Sequence, residues 1–599
     1  MRFEPFTFIA VFNKKLSQRI FLKPTTNARV VMITVLENQI KEYKEQGWWG
    51  EQTLMDLFLK NARARPDSVA LVDPPNRSKF TSGESVRLMY HELLTVVEKL
   101  ATGLIELGIK KDDVVMLQLP NITELACAYL AISRIGAIAT PLSVMHRTHE
   151  LSHAMSMTDP KAYITTTNCK GFDFVDMVQN ARIQEKFPRL KTIISVGESN
   201  HTGVVSYQDL VCEKGSTGLL AQYLAETSIS ADDVFTICWT SGTEADPKGV
   251  PRSSNQWIAA GHFVKEAGDV DPLSNILSPF PFINMGSIVV FIQWLLTGGK
   301  LCLHHPFDIP VFLEQVKQEK INYTVLPPAI LNMLLQNKQL LETIDLSTIK
   351  TIGSGSAPLT DWMVRGFQEK GIDILNIFGS NEGMCLVSGP TDFPNPDDRA
   401  KYFPAWGVEG VPCKISSAAR MKTKLIDTHG NRITEKGIPG EMCVKGPAVF
   451  AGYYKRPDLN QKSFDEEGYF KTGDRFSLEN NGAIDDRYLF MGRTKDLIIR
   501  GGNNIAPEEL ENLLIGHPKI LEAAVVGYPD MKLGEKVCVV AVLAENATMT
   551  LDELNQFLMD KGLAIYKRPE KFLPVKFLPR NALGKILKRE LRTMVKENS

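Results

Sequence analysis

No apolar run in this sequence comes near the ~20 residues that a membrane-spanning helix needs. The longest clear one, residues 288–296, is broken by Gln293 and reads as a helix of a protein core. Neither sign of charge is in excess: 68 Lys and Arg stand against 69 Asp and Glu, a formal net charge of −1. That balance excludes the basic footprint of a nucleic-acid-binding chain. The nine cysteines include no Cys-x-x-Cys pair. Their odd number and wide spacing suggest reduced thiols in a reducing compartment, not a disulfide frame. A cytoplasmic location is expected, with peripheral contact with a membrane left open. Internal repeats and low-complexity stretches are missing too. One absence is chemical: no segment has the Gly-x-x-x-x-Gly-Lys-Ser/Thr spacing of a P-loop.

What is present is a long chain of ordinary globular composition. Its 599 residues are 44% hydrophobic and 23% charged, room for about three or four domain-sized units. Residues 1–31 carry six basic residues and one acid around the apolar run 6–12. No small-residue cleavage pattern follows. We therefore read residues 1–44 as an N-terminal extension, with Met32 as the functional start, in preference to a targeting segment.

From about residue 50, helix-like and strand-like segments alternate, which predicts an α/β architecture. Apolar residues at Leu54, Leu57, Phe58 and Ala62 predict a helix over 53–64, and the same periodicity predicts one over 90–107. Residues 113–119 read as a buried strand. Residues 123–135 read as an apolar helix closed by Gly136. A charged interruption, Arg493-Thr494-Lys495-Asp496, places a boundary between residues 45–494 and 495–599. Beyond it come a turn at residues 500–504 and a helix opened by Pro507-Glu508-Glu509. Strands follow over 523–526 and 537–543. Thr550 and Glu553 form a capping box for a helix over 551–562. The last hundred residues thus form a small α+β unit.

The most informative stretch is Thr240-Ser241-Gly242-Thr243-Glu244-Ala245-Asp246-Pro247-Lys248-Gly249. Thr240, Ser241 and Thr243 offer hydroxyls, Gly242 lets backbone amides approach an anion, and Lys248 adds a positive charge. The β-rich run 234–239 delivers the loop as a strand. These are the ingredients of a polyphosphate site. Four further segments are weak alone. Asn376-Ile377-Phe378-Gly379-Ser380-Asn381-Glu382 ends a strand on a carboxylate. Thr472-Gly473-Asp474 sets an acid on a turn, suited to a vicinal diol. Gly492-Arg493-Thr494-Lys495-Asp496 is the charged junction. Asn581-Ala582-Leu583-Gly584-Lys585 puts a lysine on a glycine turn.

In order and spacing, these five segments resemble the adenylate-forming superfamily: acyl- and aryl-CoA synthetases, peptide-synthetase adenylation domains and luciferases. The resemblance covers more than nine-tenths of the chain. It implies a large N-terminal domain of two doubly wound αβαβα subdomains plus a small β-barrel, followed by a small mobile C-terminal lid. It also implies activation of a carboxylic acid by ATP to acyl-AMP, then transfer to a thiol, for which a CoA ligase is expected. ATP, Mg²⁺ and CoA are the implied cofactors and co-substrates. A homodimer is left open.

Carried over residue by residue, the 240–249 loop with Lys248 would hold the β- and γ-phosphates, and Glu382 would bind Mg²⁺. Asp474 and Arg493 would hold the ribose. Ser356, Ala357, Asn376, Ile377 and Phe378 would wall the adenine, with Gly379 and Asn381 beside them. Lys585 would bridge carboxylate and α-phosphate, Lys495 would be the hinge, and Gly501, Gly502 and Asn503 would meet CoA. Phe282, Ile283 and Gly355 would line the acid pocket. The chain departs from the family pattern in places. Glu244-Ala245 replaces Thr-Gly, Phe378 replaces a tyrosine and Asn381 a threonine. The hydroxybenzoate-activating branch, which Trp48-Trp49-Gly50 also resembles, has His-Asn where this chain aligns Phe282-Ile283. Ile283 can neither donate nor accept, so an apolar aliphatic or alicyclic acid is expected. The alternatives are an aryl-acid–CoA ligase, a ligase loading a carrier protein, and a non-catalytic nucleotide-binding protein. His146, His149 and His153 have helical spacing, but a metal there does not fit the resemblance, and His304-His305 is read the same way.

Overall fold

The structure is a computed structural model. It describes residues 33–598 apart from 213–217, 241–246, 338–344, 356–357, 409, 412, 481–485, 494, 501–502 and 582–584. Two large, mostly parallel sheets dominate it. One has eight strands, in the order Gly383–Ser388, Asp373–Ser380, Thr351–Gly355, Tyr323–Val325, Asn275–Ser278, Lys300–Leu303, Val69–Val72 and Arg87–Met89. Its inner strands are parallel and its two outermost pairs antiparallel. The other has seven, from Val204–Ser206 at one edge to Val234–Trp239 and Gly249–Ser253 at the other, parallel except for that last pair.

Between the sheets lie helices that are apolar nearly all round, as a helix covered on both sides must be. Thr123–Arg134, Ser254–Ala267 and Met285–Thr297 supply most of this core. The predicted helix over 288–296 is the middle of Met285–Thr297, and its one polar interruption is satisfied: Gln293 Nε2 donates to the Gly261 carbonyl at 2.6 Å. Gly261 belongs there because a Cβ would sit 2.5 Å from Ile292. Helix Leu54–Ala64 starts on a capping box of Thr53 and Asp56. Helix Tyr90–Glu106 ends near its expected boundary, and Gly136, at φ +70°, follows Thr123–Arg134.

A smaller six-stranded antiparallel sheet runs from Tyr402–Pro404 to Arg432–Ile433 in ladder order, built around Phe470–Glu479 and Arg487–Arg493. Among the described residues its two end strands share no ladder. The C-terminal unit pairs Ile520–Asp530 with Gly534–Leu543, adds Lys571–Val575 in parallel, and packs helices Pro507–Leu514, Leu551–Asp560 and Lys588–Glu597 on this sheet. The Thr550–Glu553 capping box is formed. Ile498–Arg500 and Asn503–Ile505 pair antiparallel, and Gly501-Gly502 of the expected turn lie outside the described residues.

Part of the segment read as an N-terminal extension through residue 44 is a packed helix. Helix Glu37–Glu45 packs on the body, with Tyr43 buried against Trp48 and Trp49 and Lys44 ion-paired to Asp232 at 2.7 Å. Met32 lies outside the described residues. Among them no helix is long and apolar enough to cross a membrane.

Candidate active site

The strands of both large sheets point their C-terminal ends toward one cleft, the usual place for a ligand in a parallel α/β sheet. The C-terminal unit closes over it. The cleft is a cavity of about 2380 Å³, lined from all sides by Thr240, Lys248, Ile283, Gly355, residues 376–382, Asp474, Arg493, Lys495 and Lys585. Residues predicted from five distant segments therefore meet in one place.

Thr240 and Lys248 close the neck of the candidate phosphate loop. The Thr240 amide donates to the Lys248 carbonyl at 3.0 Å, and the Lys248 amide donates to Thr240 Oγ1 at 3.2 Å. His153 steadies the same neck: its Nε2 lies 2.8 Å from the Pro247 carbonyl and its ring meets Trp239 edge-on. The Lys248 ammonium sits 4.5 Å from the centroid of the Tyr453 ring and 3.5 Å from its hydroxyl. Ser241, Gly242 and Thr243 lie outside the described residues, as do Ser356, Ala357, Gly501, Gly502 and the side chain of Asn503.

Glu382 follows strand Asp373–Ser380, where the chain turns back into Gly383–Ser388. Its Oε1 accepts from the Tyr453 hydroxyl at 2.8 Å, and its carbonyl accepts from the Phe450 amide at 2.7 Å. Asn381 is a clasp. Its Oδ1 accepts from the Met285 amide and its Nδ2 donates to the Trp239 carbonyl, each at 2.8 Å. One side chain thus ties the eight-stranded sheet to the seven-stranded sheet and to the start of the core helix. Asn376 commits its amide to the Arg399 and Ala400 carbonyls. Phe378 packs edge-on to Phe476 at 4.9 Å and touches Phe403 and Phe490.

Asp474 and Arg493 face each other across the ladder of Phe470–Glu479 and Arg487–Arg493, with Arg493 Nε donating to Oδ1 at 2.9 Å. Burial pushes the Asp474 carboxyl up, against the pull of Arg493 and Lys585. Lys585 sits on a turn that Asn581 closes, its amide donating to Asn581 Oδ1 at 2.9 Å. Burial, then the nearby Arg493, lowers its ammonium to about 8, while Asp474 opposes the shift. The lid therefore brings Lys585 up to the Asp474–Arg493 pair. Asp496, next to Lys495, is held by Arg592 at 3.0 Å.

One site residue went unread in the sequence, and one was misread. Phe282 does not line the cavity. It is fully buried in the core against Tyr129 and Phe291, and its carbonyl accepts from the Tyr129 hydroxyl at 2.5 Å. The bend leading into Met285–Thr297 turns Ile283 to the cleft and Phe282 into the core. Asn284, which caps Met285–Thr297, lines the cleft instead. Tyr453 is the omission: Gly452-Tyr453-Tyr454 has no spacing that marks a ligand site. His304 lies in the core, its Nδ1 2.6 Å from Gln315 Oε1 and its Nε2 accepting from the Asp308 amide.

A family model described as AMP-binding enzyme matches residues 58–454, and one described as AMP-binding enzyme C-terminal domain matches residues 509–585. The chain belongs to this family. It is an adenylate-forming ligase, a class that uses ATP with Mg²⁺ and takes a carboxylic acid. It is 29% identical over 575 residues to a medium-chain fatty-acid–CoA ligase of Escherichia coli (strain K12), covering 94% of each chain. It is 27% identical over 558 residues to a vibriobactin-specific 2,3-dihydroxybenzoate-AMP ligase of Vibrio cholerae, covering 92% of this chain and 95% of that one. Among solved structures, ATP-bound MatB from Rhodopseudomonas palustris superposes with a TM-score of 0.74 at 25% identity, over 91% of this chain and 99% of that one. The AMP-binding enzyme thus has relatives that differ in both acid and acceptor.

Proposed function

We propose that this AMP-binding enzyme joins an apolar aliphatic or alicyclic acid to CoA through an acyl-adenylate. The observation that carries the acid is the wall of the cleft around Ile283. Phe280 stacks on Phe307 at 6.1 Å there, and Met285, Val325 and Leu326 continue the apolar lining. In the first step the acid's carboxylate oxygen attacks the α-phosphorus of ATP, and pyrophosphate leaves. In the second, a thiolate attacks the acyl carbon and AMP leaves.

The residues divide the work by charge. Lys248 and the hydroxyls of its loop take the β- and γ-phosphates. Asp474 and Arg493 take the ribose, and Phe378 with Ile377 offers the adenine an apolar face. Among the described residues Glu382 has only Oε1 hydrogen-bonded, which leaves carboxylate oxygen for a hard cation. Mg²⁺ there would offset phosphate charge as pyrophosphate departs. Lys585 aims its ammonium at the α-phosphate, where negative charge meets an anionic nucleophile. For the thiol step the lid turns about Lys495, withdraws Lys585, and brings the 501–503 turn toward the pantetheine arm.

Support for CoA as acceptor is the similarity to the Escherichia coli CoA ligase. The dihydroxybenzoate-AMP ligase supports the second reading, an aryl acid activated without CoA. Measuring AMP release with and without CoA separates the two across alkanoates, cyclohexanecarboxylate, benzoate and 2-hydroxybenzoate. We expect CoA-dependent turnover, with kcat/KM rising about fourfold per methylene that fits, from ~0.8 kcal/mol each. A preference for 2-hydroxybenzoate would overturn the apolar pocket, and acid-dependent pyrophosphate exchange without acyl-CoA would overturn the acceptor.

A further inference from the structure

Lys248 and Glu382 reach the cleft from different sheets, and one side chain touches both. Tyr453 belongs to neither of the segments that carry them. Its place is set by its own surroundings. Its amide donates to Asn460 Oδ1 at 2.7 Å, Asn460 Nδ2 donates back to its carbonyl at 3.1 Å, and the Tyr454 amide donates to the Gly249 carbonyl. Gly452 has to be glycine beside it, since its φ is +147° and a Cβ would meet Asn460 at 2.8 Å. The ring is buried and rests edge-on to Phe450 at 4.9 Å.

The phenol lies 2.8 Å from Glu382 Oε1 and 3.5 Å from Lys248 Nζ, with the ammonium above the ring. Among the described residues no ion pair within 4.0 Å joins Lys248 to Glu382 directly. A cation and a carboxylate so close in a cleft attract strongly, and a contact pair would cancel both charges. Here the hydroxyl donates to the acid and accepts from the ammonium, which the ring face also holds.

We propose that Tyr453 is a positioning residue that holds Glu382 and Lys248 apart and aimed into the cleft, so that both charges remain available to Mg²⁺ and the triphosphate. The proposal rests on the roles given above to Glu382 and Lys248. Its mark is a defect confined to metal and nucleotide. Tyr453→Phe keeps the ring and every main-chain bond and loses only the hydroxyl, which donates to Glu382 and accepts from Lys248.

The test is calorimetric titration of Mg²⁺ with α,β-methylene-ATP into the whole enzyme, alongside the Mg²⁺ dependence of pyrophosphate exchange. The variants are Tyr453→Phe, Glu382→Gln and the double variant. Tyr453→Phe should weaken nucleotide binding and raise half-saturating Mg²⁺ by about tenfold, the scale of one hydrogen bond to a charged group. The KM for the acid should not move. In half-saturating Mg²⁺ the double variant should be no worse than Glu382→Gln alone, because Tyr453 acts on the metal through that carboxylate, while its hold on Lys248 still shows in nucleotide affinity. Additive losses in Mg²⁺ dependence, or a Tyr453→Phe enzyme with wild-type Mg²⁺ dependence beside an impaired Glu382→Gln, would overturn the proposal. If Glu382→Gln itself keeps wild-type Mg²⁺ dependence, the metal role of Glu382 fails first and the proposal falls with it. Should Tyr453→Phe not fold, Tyr453→Trp replaces it: a retained ring with wild-type Mg²⁺ dependence would likewise overturn the hydroxyl's role.

Discussion

Lys585 shows how one side chain carries both a structural cost and a chemical task. Its ammonium is drawn down to about 8 by burial beside Arg493, so it is protonated below that pH and loses its charge above it. The protonated form is the one that can meet a phosphate. The kcat/KM for adenylation, which reports the free enzyme, should therefore fall as pH rises through about 8. Lys585→Arg, charged throughout, should flatten that limb in a pH profile of pyrophosphate exchange, whatever its absolute rate. Lys585→Ala should lower adenylation a hundredfold or more, roughly 3 kcal/mol of lost transition-state stabilisation. Thioester formation from supplied acyl-AMP should largely survive. Equal loss in both half-reactions would make Lys585 structural. At this scale the sequence was readable wherever charge was needed: Lys248, Glu382, Asp474, Arg493 and Lys585 all reach one cleft. It was unreadable at Phe282, because which of two neighbours faces a ligand depends on how a segment meets its helix.

Among the elements, the strand Thr351–Gly355 makes the sharpest demand. It runs parallel to Asp373–Ser380, with Gly355 opposite Ile377. A Cβ at Gly355 would lie 2.4 Å from the Ile377 carbonyl oxygen, a main-chain atom that cannot rotate away. Gly355→Ala should destabilise the enzyme by about 1–3 kcal/mol and distort the wall beside Ile377. The checks are the thermal unfolding midpoint, which should drop, and the KM for ATP, which should rise more than that for the acid. An unchanged midpoint would show that the strands can separate without cost. Helix and strand positions were legible here because periodicity is local. The capping box read at Thr550 and Glu553 marks a true helix start. Packing of helix Glu37–Glu45 on the body was not legible, because Lys44 finds Asp232 nearly two hundred residues away.

At the scale of the whole molecule, the lid and the large sheets share the cleft, and the joint between them is short. Lys495 lines the cavity, while Asp496 is held to the C-terminal helix through Arg592. If the lid turns at Lys495, fixing its φ near roughly −65° with proline should leave adenylation nearly intact and block the thiol step. Rapid-quench measurement of each half-reaction checks this. Normal acyl-CoA turnover in Lys495→Pro would place the hinge elsewhere.

What the sequence by itself determined was the set of local patterns: alternating helices and strands, the caps, and the order of five polar segments that resemble adenylate-forming enzymes. Each rests on neighbours within a few residues, which the linear chain displays. Only the tertiary structure decided which groups meet. It turned Phe282 inward and Ile283 outward, made Asn381 the clasp between two sheets, and set Tyr453 between Lys248 and Glu382. These outcomes depend on the packing of segments hundreds of residues apart, where shape and desolvation choose the contact and sequence spacing carries no information about it.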